Sequence, residues 1–268
     1  LTSSDWVLHM DEETFVDAYG LETCIDLIER SSVDYAQGYI FYNNHAYWKN
    51  WFLTFGDIIR VTDDLGRYQW QANCLGKPLF GVHGSFFLTN GKVENASTWD
   101  TNNLVEDYWF AKRAESLGFK YGWIPAIARE QSPRTVEDYV MQRRRWWRGI
   151  RTLGKPMASA LTILSACPVF RMLISSLLYR LAFEFLQCPM IRIPPWLWAL
   201  KAFDRAIVTY GFVLSLVVHD LDAGVNWKMI VVHLLMAPVL VPWTSVLEAA
   251  SLLSAIFDTK TGFDVISK

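Results

Sequence analysis

Near Pro156 the sequence changes character, and that change constrains its fold more than any other feature. Upstream, short apolar runs alternate with polar turns, as in strands and helices packed in layers. Downstream, the apolar runs lengthen and Trp and Pro gather at their edges. Three stretches there, Met172–Met190, Ala206–Val218 and Met229–Leu247, are candidates to enter a bilayer. A full span needs about 20 mostly apolar residues. The last stretch meets that; the middle one does so only if Trp196–Phe203 contributes. The first carries Arg180 and Glu184, which must face protein or water. Trp196, Trp198, Trp227 and Trp243 stand where interfacial anchors belong. The chain has 268 residues, 52% of them hydrophobic, and 13 Trp. That is too apolar for a plain soluble domain and long enough for one sizeable domain plus a second part. The expectation is an α/β domain over residues 1–155, then a membrane region over 156–268 with transmembrane or interfacial helices. A large buried helical domain is the alternative for the second part.

In the first part, strands are expected at Trp6–Met10, Ala36–Tyr42, Phe80–Leu88 and Phe119–Ile124, and helices at Leu21–Arg30, Tyr47–Asp63, Leu104–Leu117 and Val136–Leu153. Asn103 with Glu106, and Thr135 with Asp138, have the spacing of helix starts. Gly118 suits a helix end. A chain should not open inside a strand, so residues upstream of Leu1 are expected. Cys24, Cys74, Cys167 and Cys188 form no CxxC or zinc spacing and read as buried thiols. Arg143, Arg144, Arg145, Arg148, Arg151 and Lys155 precede the first apolar stretch. The positive-inside rule then puts the α/β domain in the cytosol.

Four short motifs bear chemistry. Asp11-Glu12-Glu13-Thr14 follows the first strand, where α/β sheets bind ligands. Carboxylates at Asp11 and Glu13 suit Mg²⁺ or Mn²⁺ bridging to a diphosphate; a solvated turn is the plainer reading. In Gly81-Val82-His83-Gly84-Ser85-Phe86, two glycines three apart let the backbone pass close to a ligand, or make a tight turn. His83 reads first as a structural hydrogen-bonder. Glu106-Asp107 opens a helix whose dipole keeps a carboxylate ionised, as a general base requires; helix capping is the alternative. Adjacent acids cannot share a helix face, so one faces the cleft and the other braces the loop. Last comes Gln142-Arg143-Arg144-Arg145-Trp146. Arg145 suits a diphosphate and Trp146 a sugar face. The same basic helix suits anionic lipid, and Arg143, Arg144 and Arg148 are read as serving lipid or structure. Its basic residues are not spread as nucleic-acid binding requires.

Taken in order, these motifs resemble family-two glycosyltransferases, which include the cellulose, chitin and hyaluronan synthases. Val7-Leu8-His9-Met10-Asp11-Glu12-Glu13-Thr14, Phe55-x-x-x-x-Arg60-Val61-x-Asp63-Asp64, Lys77-Pro78-Leu79-Phe80 and Ser132-Pro133 are similar to the Egghead-type β-1,4-mannosyltransferases of glycolipid synthesis. The resemblance covers Asp5–Gly149 well and the rest in outline.

It implies a GT-A-like α/β domain and inverting transfer from a nucleotide sugar, GDP-mannose, to a glycolipid or glycan acceptor at a Golgi or ER membrane. It implies Asp107 as catalytic base, and Asp11 and Glu13 at the D-x-D metal position, with Glu in place of the second Asp. Gly84 and Ser85 would line the acceptor site, and Gln142, Arg145 and Trp146 would hold diphosphate and acceptor, with Glu106 beside the base. In the family the donor-base pocket lies on strands ahead of D-x-D, so this chain alone is expected to be inactive. A processive UDP-glucose or UDP-GlcNAc polymerase is the rival enzyme. An inactive membrane protein binding lipid or a partner is the rival outside catalysis.

Overall fold

The computed structural model describes residues 1–30, 32–44, 47–153 and 195–257. Residues 172–190, with Arg180 and Glu184, lie outside the described residues, as do Lys155, Cys167 and Cys188. Among the described residues five strands form one mixed sheet: β1 (Trp6–His9), β2 (Phe15–Val16), β3 (Tyr35–Phe41), β4 (Phe87–Asn90) and β5 (Tyr121–Arg129), in the order β1-β4-β3-β5-β2. Only β3 and β5 pair in parallel. The helices are α1 (Ala18–Arg30), α2 (Trp51–Asp63), α3 (Gly91–Ser97), α4 (Glu106–Ser116), α5 (Val136–Thr152), α6 (Pro195–Asp222) and α7 (Trp227–Phe257).

Strand side chains alternate faces, and each face buries its own core. Ala36, Ile40, Leu88, Ile124 and Ala128 pack with Cys24 of α1 and Val61 of α2. Tyr35, Phe87, Tyr121 and Trp123 pack on the other side with Val93 of α3 and Phe110, Ala111 and Ala114 of α4. This is the α/β layering expected from the alternating runs.

Several boundaries differ from the sequence reading. The expected strand Phe80–Leu88 is mostly loop: Gly81 has φ +136°, Gly84–Phe86 forms a 3-10 turn, and pairing begins at Phe87. Phe119–Ile124 was expected to stop short, yet β5 runs on to Arg129 through Pro125. Proline has no N–H for the ladder, and the register with β3 slips there, Ile124 facing Gly38 and Ile127 facing Tyr39. The bulge accommodates the proline. Asn103 does not cap α4; Val105 does, without a side-chain bond, while Asn103 Oδ1 accepts the Val105 N–H at 2.9 Å. Thr135 caps α5 as expected, accepting the Asp138 N–H at 3.0 Å. Cys74 is exposed, contrary to the buried thiol expected; Cys24 is buried.

The middle apolar stretch extends through Trp196–Phe203 into α6, and the last extends into α7. α7 is the one helix, among the described residues, long and apolar enough by length and composition to cross a membrane. Both helices pack on α2, and α7 also packs along α5. Arg143 and Arg148, which the sequence reading assigned to lipid or structure, are buried within the protein. Neither therefore counts toward a basic membrane-facing flank, and the orientation argument loses that support.

Arg129 is one of the side chains that tie the sheet to α6, with Asn43, whose Nδ2–H donates to Asp222 at 2.7 Å. Arg129, at the end of β5, donates Nε–H and Nη2–H to the two oxygens of Asp222, at 2.8 and 2.7 Å, and Nη1–H to Asp17 at 3.0 Å. Only a planar guanidinium spans both carboxylates. Arg129→Lys is therefore expected to lower stability by about 1–3 kcal/mol, read as a shift of the denaturant midpoint in detergent.

Candidate active site

Sheet topology decides where the motifs meet. β1 is antiparallel to β4, β4 is antiparallel to β3, and β3 is parallel to β5. The chain therefore leaves β1, β3 and β5 at one edge of the sheet and enters β4 there. Asp11–Glu13 follow β1, Tyr42 follows β3, Glu130 follows β5, and the Gly81–Phe86 loop leads into β4. At this edge lies a cavity of about 430 Å³, within the range of small-molecule sites. Helices close its sides: α2 with Arg60 and Asp63, α4 with Glu106 and Asp107, α5 with Gln142, Arg143, Arg145 and Trp146, and α7 with Thr244, Ser245 and Glu248. The residues read from the sequence as catalytic, metal-holding or substrate-holding thus line one space: Asp11, Glu13, Gly84, Ser85, Glu106, Asp107, Gln142, Arg145 and Trp146; Arg144 and Arg148 do not line it.

Asp107 is held from two sides. Its Oδ2 accepts the Gly84 N–H at 2.9 Å and its Oδ1 accepts the N–H of Tyr108 at 2.7 Å. A Cβ on Gly84 would lie 3.0 Å from the Asp107 Cβ. Any side chain at 84 would therefore press on Asp107, and glycine lets loop and helix approach this closely. Burial pushes the Asp107 carboxyl above its ordinary value; the Tyr108 N–H, His83, the Gly84 N–H and Arg145 pull the other way without cancelling it. The helix start alone suggested a carboxylate kept ionised, but burial of the site prevails. Glu106 is raised too, by burial and then by the charge of Asp107.

The Gly81–Phe86 loop is anchored by a residue read as structural. His83 is 6% exposed; its N–H donates to Gln37 Oε1 at 3.0 Å. Its ring lies 2.9 Å from Asp64 Oδ1 through Nε2, and Nδ1 accepts from Arg60 Nη2 at 2.9 Å. Arg60 also lies over the Trp146 ring, 3.8 Å from its centroid, and Arg143 lies 4.2 Å from it. The ring suited to a sugar face is thus engaged by two guanidinium groups. Arg60, Asp63 and Arg67 went unassigned as site residues, though all three line the cavity and Arg67 donates to Asp63 at 2.7 Å. The signal available was the Arg60-x-x-Asp63 spacing on α2, which fixes a helix face but not what it faces.

Among the described residues no group of three or more His, Cys, Asp and Glu side chains is placed to hold a metal. Asp11 and Glu13 offer two carboxylates at the cavity wall. That donor set suits a Mg²⁺-like ion completing its shell with substrate phosphates and water rather than an all-protein cage.

The raised Asp107 has a measurable consequence. Its fold takes up the proton more readily than the unfolded chain does, so ionising it opposes folding at pH above the folded pKa and not below the ordinary value of 3.8. Whatever reaction needs the ionised form should show an acid limb above pH 3.8. Gly84→Ala should move that limb further, by displacing the amide that stabilises the charge. A pH–rate profile of both forms checks this, and an unmoved limb would contradict it.

A model of the glycosyl transferase family group 2 matches residues 6–243. The β-1,4-mannosyltransferase bre-3 of Caenorhabditis elegans is 28% identical over 282 residues, covering 100% of this chain and 60% of that protein. The bre-3 protein of Caenorhabditis briggsae aligns with the same identity and coverage. The β-1,4-mannosyltransferase egh of Drosophila melanogaster is 35% identical over 153 residues, 56% of this chain and 33% of that protein. The chain therefore spans 60% of the length of the nematode relatives it matches. With that model covering all but its first residues and its C-terminal end, the chain belongs to the glycosyl transferase family group 2.

Proposed function

We propose that this chain carries the acceptor-activating part of a membrane-associated inverting glycosyltransferase, moving a hexose from a nucleotide-sugar donor to a glycolipid acceptor. The observation that carries the reading is the placement of Asp107. Its carboxylate is oriented by the Gly84 and Tyr108 amides in the cavity that Asp11, Glu13 and Arg145 also line. The names of the relatives, β-1,4-mannosyltransferases, support mannose as the sugar and hence GDP-mannose as the donor.

In this mechanism Asp107 takes the proton of the acceptor hydroxyl as its oxygen attacks the anomeric carbon. The new C–O bond forms on the face opposite the departing diphosphate, so the anomeric configuration inverts. Arg145 presents its guanidinium to the diphosphate as negative charge gathers there. Gln142 and Trp146 hold diphosphate and acceptor, and Gly84 and Ser85 shape the acceptor side. Glu106 lines the cavity beside the base, and Asp107 itself, not Glu106, holds the loop through the Gly84 N–H. A Mn²⁺ or Mg²⁺ ion held by Asp11 and Glu13 would supply further positive charge to the diphosphate oxygens.

The C-terminal helices support association with a bilayer. α7 has 31 residues, about 46 Å of helix against a hydrocarbon core of about 30 Å. Leu235, Val239 and Trp243 form an exposed apolar stripe along it, and Trp196, Leu200, Phe203 and Ile207 are exposed on α6. Such a surface suits lipid better than water. In this proposal residues 1–155 form the α/β catalytic part, facing the cytosol in Golgi or ER, and residues 156–268 form the membrane region, whose α7 also reaches the cavity with Thr244, Ser245 and Glu248.

Asp107→Asn in the full-length protein is expected to lower transfer by at least about 10²-fold, with membrane insertion and thermal stability kept. Sugar transfer at the unaltered rate would sink the mechanism. Topology has a separate check. Asn95-Ala96-Ser97 is a glycosylation sequon, with Asn95 exposed on α3. It is expected to stay unmodified in cells, and an endoglycosidase-sensitive glycan on Asn95 would put the catalytic part in the lumen.

A further inference from the structure

Glu248 is a carboxylate in the most apolar helix described. It follows Met229–Leu247 directly and lies 21 positions beyond Trp227. A charge so placed is costly unless protein or water receives it. Here protein does: Glu248 Oε2 accepts the Nε–H of Arg143 at 3.1 Å, and the side chain also lines the cavity.

Arg143 is 2% exposed and collects partners from each element around it. Its Nη2 donates to Asp57 of α2, and its Nη1 to Gln142 Oε1 at 2.8 Å. The guanidinium lies 4.3 Å from the Tyr139 ring centroid and 4.2 Å from that of Trp146. Arg60 comes to the same Trp146 ring from α2. Both guanidinium groups thus meet at the Trp146 ring, while Asp57 and Glu248 pair with Arg143. Burial works against the charge on Arg143, but Tyr139, Asp57 and Glu248 outweigh it and raise its pKa, so the cation persists.

We infer that Glu248 is a positioning residue of the active site: through Arg143 it sets the placement of Gln142 and Trp146, and the C-terminal apolar helix is part of the catalytic apparatus. Buried ion pairs contribute little net stability compared with apolar packing, but removing one partner strands the other. Without Glu248, Arg143 keeps Asp57 and is drawn toward α2. The Gln142 carboxamide and the Trp146 ring shift with it. Arg145 lies between them on the same helix turn.

This inference rests on reading the cavity as the transfer site, so Asp107→Asn is run in parallel. Glu248→Gln and Glu248→Ala are made in the full-length protein in detergent micelles. GDP-mannose and a glucosylated lipid serve as substrates, and rates are normalised to folded enzyme by size exclusion and thermal unfolding. Both variants should fold, with kcat per folded enzyme lowered about tenfold or more, since small misplacements near the chemistry carry penalties of that order. Glu248→Asp, which keeps the charge, should recover part of the loss. An unchanged kcat for folded Glu248→Gln, beside an inactive Asp107→Asn, overturns the inference and leaves the cavity reading intact. Failure of Glu248→Gln to fold also overturns it, because the pair would then hold the fold and not the site. Transfer by Asp107→Asn at the unaltered rate removes the reading on which both rest.

Discussion

A single buried cation organises the meeting of α2, α5 and α7. Arg143 is almost fully enclosed, and its charge survives because Asp57 and Glu248 reach it from different helices. A buried guanidinium with its donors unmet would be strongly unfavourable. The surrounding helices therefore have little freedom in register: sliding α7 by one turn along α5 would carry Glu248 about 5.4 Å away and leave Arg143 short of an anion. The placement of the Gln142-x-x-Arg145-Trp146 face, and so one wall of the cavity, follows from that restriction.

The opposite wall is set by main-chain hydrogen bonds. Asp107 reads the positions of two amides, Gly84 N–H and Tyr108 N–H, and Gly84 is in turn held because the neighbouring His83 is fixed by Gln37, Asp64 and Arg60. Arg60 belongs to both walls, contacting His83 on one side and Trp146 on the other. Burial and hydrogen bonding oppose each other at Asp107, and burial prevails. A carboxyl raised in this way has a greater proton affinity than an exposed one, which favours its use as a base once it is ionised.

Much of the fold was legible from local pattern. Alternating apolar runs located β1, β3, α1, α2, α4 and α5, and Thr135-x-x-Asp138 located the start of α5. The failures share a cause. Gly81 and Pro125 look alike as breaks in a strand, but one lies in a loop and the other in a bulge within β5. Only pairing with β3 separates the two cases, and pairing is not a local property. Arg143 and Arg148 likewise suit anionic lipid or a structural role by sequence, and only the fold shows both buried, Arg143 against Glu248 of α7.

The sequence by itself determined which chemistries were available: paired carboxylates after a strand, acids at a helix start, and an arginine–tryptophan pair on a helix. Those are properties of residue type and short spacing. Tertiary structure alone decided that they face one cavity, because the sheet order brings the ends of β1, β3 and β5 and the start of β4 to a common edge. It also decided that the apolar C-terminal helix contributes Thr244, Ser245 and Glu248 to that cavity. The physical reason is long-range packing. A carboxylate in an apolar run reads only as an expensive anomaly until a buried cation more than a hundred residues away is placed beside it.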